Sequence, residues 1–86
     1  MTKYVTVFKV EAQAELQKIP RDQAMSILRK LAELETDPFA FGTKALTGIP
    51  GHRRLRVGDY RVIYTVDQGR LVIVVVHVDH RSTVYD

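Results

Sequence analysis

Residues 71–76 read LVIVVV, six apolar side chains in succession, five of them β-branched. Such a run is too short to cross a membrane, and its branching disfavours a helix. A strand apolar on both faces belongs inside a sheet, covered on at least one side. The rest of the chain must supply that cover, and at 86 residues it buries only about 60–65% of its unfolded surface. One domain spanning residues 1–86 is the expectation.

The periodicity upstream provides the covering elements. Residues 3–8, KYVTVF, alternate as a short strand. From Val10 the period lengthens: Ala12, Leu16 and Ile19 suit a short amphipathic helix that stops before Pro20. A second helix can start there, with Ala24, Ile27, Leu28, Leu31 and Leu34 as its apolar stripe and Arg29, Lys30 and Glu33 on the other side. Residues 37–51, DPFAFGTKALTGIPG, hold three of the five glycines and two of the three prolines and read as loop. From His52 the pattern is all β: HRRLRVG, GDYRVIYTVD and RLVIVVVHV, with turns at Gly58–Asp59 and Asp67–Gln68–Gly69. These connections are too short for crossovers, so the three strands form an antiparallel meander. The expected architecture is α+β: an antiparallel β-sheet, in the order β-α-α-β-β-β, with a helical hairpin packed on one face. Leu16, Ile27, Leu28 and Leu31 are expected in the core, and Met25, on the exposed remainder of the helix, is a candidate contact for a protein partner.

Charge divides the chain. Residues 1–43 carry six basic and six acidic side chains, so the whole net charge of +3 resides in residues 44–86, together with all three histidines. Six of the seven basic residues there are arginine, whose planar fork suits phosphate and base edges better than the point charge of lysine. The absence of cysteine excludes a disulfide scaffold and a thiolate metal site. MTKYVTVFKV contains no apolar stretch of signal-peptide length, so a cytosolic protein without a membrane association is expected.

Period 2 places Arg54 and Arg56 on one face of their strand and Leu55 and Val57 on the other. If the latter pair faces the helices, the arginines lie on the open side, where Arg61 can join them. Arg81, Tyr85 and His80 follow in the tail HVDHRSTVYD, and the group suits a polyanion held by its phosphates. Each residue also has a plainer use. Strand arginines commonly keep a sheet soluble; Tyr60 and Tyr64 alternate with valines as packing residues do; His77, within VVVHVDH, suits a sheet histidine satisfied by its neighbours. No spacing announces a metal site, and Ser82 lacks an acid–base pair.

The order of the residues carries more. GIPGHRRLRVGDYRVIYTVD, followed one hairpin later by VVHVDHRSTVYD, resembles the RelE/ParE superfamily of bacterial toxins, the toxic halves of type II toxin–antitoxin pairs. The element order and the DPF…LTG loop match as well, so the resemblance covers essentially the whole chain. It implies the RelE-like microbial RNase fold and a cognate antitoxin, with the chain a monomer or part of a toxin–antitoxin hetero-oligomer.

Function divides within the superfamily. RelE-like members cut mRNA in the vacant A site of the ribosome, through metal-independent attack of a ribose 2′-OH on its own 3′ phosphate. ParE-like members inhibit DNA gyrase and are not nucleases. On the RelE-like reading the resemblance implies Arg54, Arg56, Arg61, Arg81 and Tyr85 as the catalytic set, Lys44, Arg53 and His80 as substrate-binding residues, and no metal or cofactor. The RelE pattern has a lysine pair where this chain has Arg54 and Arg56. Arginine does not give up its proton, so the base falls to Tyr85 or His80. A gyrase inhibitor, or a scaffold that only binds antitoxin, remains the alternative to an enzyme.

Overall fold

The computed structural model describes residues 3–40 and 42–80. Arg81 and Tyr85 lie outside them. The chain forms β1 (Val5–Phe8), α1 (Val10–Gln17), α2 (Arg21–Leu34), β2 (Thr43–Ala45), β3 (His52–Val57), β4 (Tyr60–Asp67) and β5 (Val72–His80). The five strands make one sheet in the order β1-β5-β4-β3-β2. The α+β expectation holds: β3, β4 and β5 are the antiparallel meander, and the apolar run lies in β5, between β1 and β4.

Three local features differ from the sequence reading. The glycine- and proline-rich loop contains β2, whose three residues pair antiparallel with β3. The opening strand pairs parallel with β5, Val5 opposite Val72 and Phe8 opposite Val75, so the sheet is mixed. Leu71, first in the apolar run, sits in the turn with φ of 58°, and β5 begins one residue later. That turn is held by Asp67, whose Oδ1 accepts the Arg70 N–H at 3.0 Å.

The helical hairpin covers one face. Ile27, Leu31 and Leu34 of α2 and Ala12 of α1 pack with Leu55, Val62, Tyr64, Ile73, Val75 and Val78. Each large apolar side chain buried in this way contributes about 1.5–3 kcal/mol. Tyr64 is fully buried, and its hydroxyl donates to the Pro38 carbonyl at 2.7 Å. Tyr60 and Tyr64 thus pack, as their alternation with valine suggests. Leu28 departs from expectation: it is 38% exposed, because the turn angle of the helix carries it past the edge of the buried stripe.

Two carboxylates close the β1 side of the sheet. Glu35, after α2, accepts the Thr6 N–H at 3.2 Å and its hydroxyl at 2.8 Å. Glu15 on α1 accepts the Val78 N–H at 2.9 Å. Unpaired strand donors invite edge-to-edge association, and these contacts occupy two of them.

Candidate functional site

The β3–β4 hairpin determines which side chains meet. Gly58 and Asp59 form a two-residue turn between the paired Val57 and Tyr60. Gly58 has φ of 58°, the pattern of a II′ hairpin with glycine in its first central position. With this turn, Arg56 is opposite Arg61 and Arg54 is opposite Ile63. Leu55 and Val62, the pair between them, face the helices, so Arg54, Arg56 and Arg61 share the other face.

The register extends this face across four strands. One row runs Lys44, Arg54, Ile63, His77 and the next Arg56, Arg61, Asp79. Lys44 and Arg56 are exposed, Arg54 is half-buried and Arg61 is buried. Arg56 also borders a small hollow with Lys30, Glu33 and Leu34, since it lies just beyond the end of β2. The larger hollows are elsewhere. One of about 400 Å³ lies among Phe39, Ile49, His52 and Arg53; another of about 350 Å³ lies between α2 and the Gly58 turn. Among the described residues the arginine face is therefore a surface, suited to a chain of phosphates rather than to an enclosed small molecule.

Two expected members of the group lie on the opposite face. Arg53 is paired with Tyr64; its Nη2 donates to Thr43 Oγ1 at 2.9 Å, and its guanidinium sits 5.1 Å from the centre of the Phe39 ring. It ties β3 to β2 and the preceding loop. His80 is opposite Tyr60, with ring centroids 5.3 Å apart in an edge-to-face contact. Alternation carries it to the helix side, so it does not converge with the arginines as expected. Arg81 and Tyr85 fall outside the described residues.

Sequence reasoning missed a cluster on the arginine face. Tyr64 pairs with Val75 but Ile63 pairs with His77, leaving Val76 as an extra residue in β5. Strict alternation would place His77 with Val75 among the buried side chains; the bulge sends it, and Asp79, to the arginine face. Glu15 reaches them from α1, with its Oε1 3.5 Å from His77 Nδ1. Ligand-type atoms of Glu15, His77 and Asp79 all lie within 4.8 Å of one another. Burial, and then the Glu15 charge, raise the Asp79 carboxyl above its ordinary pKa, with His77 partly opposing. No signal in the sequence marks a one-residue bulge inside a run of valines.

The mixed five-stranded sheet, with a helical hairpin on one face and an arginine group on the other, is the fold of solved RelE toxins, and comparison with known proteins gives the class as the toxin half of a type II toxin–antitoxin system, in the RelE/ParE superfamily. Residues 6–85 match the family model for the ParE toxin of the type II toxin–antitoxin system, parDE. The chain belongs to that family. Toxin RelG of Mycobacterium tuberculosis (strain ATCC 25618 / H37Rv) is 29% identical over 83 residues, covering 95% of each chain. The RelBE2 toxin–antitoxin complex of the same species superposes with a TM-score of 0.81 at 26% identity, over 92% of this chain and 99% of that one. The archaeal RelE–RelB complex from Pyrococcus horikoshii OT3 gives 0.79 at 29% identity, over 98% and 100%.

Proposed function

We propose that this toxin is a ribosome-dependent mRNA endonuclease, neutralised by a cognate antitoxin and acting in the cytoplasm. The observation that carries the proposal is the basic group on one face of the sheet, with Lys44 and Arg56 exposed, Arg54 half-buried and Arg61 buried, across three adjacent strands. The substrate is mRNA in the ribosomal A site, cut by attack of a ribose 2′-OH on the adjacent phosphate. Arg54 and Arg56 hold phosphate, and Arg61 stabilises charge on the phosphorane. Arg81 and Tyr85, which complete the RelE-like set, serve charge stabilisation and stacking on the splayed base. The RelE names of the relatives and the toxin–antitoxin composition of the structural neighbours support the same assignment.

The ParE family model favours a second reading, inhibition of DNA gyrase without nuclease activity. Primer extension on mRNA from cells expressing the toxin separates the two. Cuts inside translated codons, absent from untranslated regions, are expected. Growth arrest with intact messages and stalled gyrase would establish the second reading instead.

A further inference from the structure

We infer that His77, oriented by Glu15, is the group that takes the 2′-OH proton. The inference rests on the endonuclease reading and assigns to His77 the base that the sequence left to Tyr85 or His80. Tyr85 lies outside the described residues, and His52, also on the arginine face, has its Nδ1 3.1 Å from the Pro50 carbonyl. A guanidinium does not give up its proton in a protein, so Arg54, Arg56 and Arg61 are not candidates for the base. His80 is on the wrong face, against Tyr60. His77 lies on the face that holds the arginines, two strands from Arg54, or about 10 Å at the usual strand spacing. That gap is one the long arginine side chains and a nucleotide can bridge.

The local construction suits proton transfer. The Val76 bulge removes His77 from the buried face, and bulges are over-represented where a side chain must be re-aimed beside an active site. Glu15 Oε1 is 3.5 Å from Nδ1 and is itself held by the Val78 N–H. Nε2, the opposite ring nitrogen, is then the one available to substrate. A carboxylate behind an imidazole sets the tautomer and stabilises the imidazolium that forms when the proton arrives. The charged groups close to the ring are Glu15 from α1 and Asp79 from β5, with Arg61 of β4 opposite Asp79 and Arg54 of β3 two strands away.

In the step, Nε2 takes the proton as the 2′-oxygen bonds to phosphorus. The P–O5′ bond breaks, and the 5′-oxygen leaves with the bonding pair and takes a proton from water. The products are a 2′,3′-cyclic phosphate and a 5′-hydroxyl, and His77 returns its proton to solvent. Glu15 is a positioning residue.

The test is single-turnover cleavage of mRNA on ribosomes with a vacant A site, followed from about pH 5 to pH 9 so that it spans the range of an imidazole. For the wild type, the rate should rise with pH and level off. His77→Ala and His77→Asn should each cut about 100- to 10,000-fold more slowly and lose that rise, while antitoxin binding and Tm stay near wild type. Glu15→Gln should still cut, with its rise moved to lower pH, because the imidazolium has lost its carboxylate. Wild-type rates and pH profiles in both His77 variants would overturn the inference while leaving the endonuclease intact. A wild type that leaves mRNA whole would overturn both.

Discussion

At the scale of single residues, buried hydrogen bonds and carboxylates give measurable consequences. The Tyr64 hydroxyl is the buried partner of the Pro38 carbonyl, so Tyr64→Phe should cost about 1–2 kcal/mol in urea unfolding. An unchanged midpoint would mean that water replaces the bond. Asp79 is the carboxyl whose pKa is raised, chiefly by burial and then by Glu15. An acid with a raised folded-state pKa binds its proton more tightly in the folded chain than in the unfolded one. Stability therefore falls as pH rises from the ordinary carboxylate value through the raised one, and the penalty persists above it. Asp79→Asn removes the penalty, so its Tm should gain on wild type from acid to neutral pH. Parallel Tm-against-pH curves would contradict this. Arg53 shows the other side of residue-level reading: a basic side chain beside two phosphate-binding candidates is engaged with Thr43 and Phe39.

The elements show which patterns were legible. Hydrophobic spacing located both helices and the meander, because burying a helix stripe or a strand face leaves a period of its own. The same reasoning brought Arg54, Arg56 and Arg61 together, since the Gly58–Asp59 turn admits few registers. β2 was invisible: three residues beside a glycine-rich loop form a strand only because the edge of β3 is there to pair with them. The parallel pairing of β1 depends on the long-range path of the helical hairpin, which no local period encodes. The Val76 bulge was equally hidden, and with it the meeting of Glu15, His77 and Asp79 on the arginine face. The α2 stripe gives a direct comparison. Ile27 is completely buried and Leu28 is 38% exposed, so Ile27→Ala should cost about 2–5 kcal/mol and Leu28→Ala a small fraction of that. Equal losses from the two variants, measured by chemical unfolding, would mean that α2 is rotated from the orientation described.

For the whole molecule, two faces have two duties. The helical hairpin buries one side of the sheet, and the other side carries Lys44, Arg54, Arg56 and Arg61, four of the seven basic residues of the second half of the chain, where the net charge of +3 resides. A surface that holds phosphates releases counterions on binding. Arg54→Ala and Arg56→Ala should therefore each reduce the salt dependence of binding to single-stranded RNA, by about 0.7 in the log–log slope for every phosphate no longer neutralised. Unchanged slopes, read by fluorescence titration over a range of salt, would place the RNA elsewhere. On the endonuclease proposal the ribosome supplies the remaining positioning, because the larger hollows among the described residues lie away from Arg54 and Arg61.

The most direct measurement uses purified toxin with mRNA on ribosomes stalled at a vacant A site, with the same mRNA free in solution, and with DNA gyrase in a supercoiling assay. On the endonuclease proposal, new mRNA ends appear within the A-site codon only when ribosomes are present. The Arg54→Ala/Arg56→Ala variant then cuts at least about a hundredfold more slowly, and gyrase is unaffected. Intact message on the stalled ribosome, together with inhibited gyrase, would contradict it.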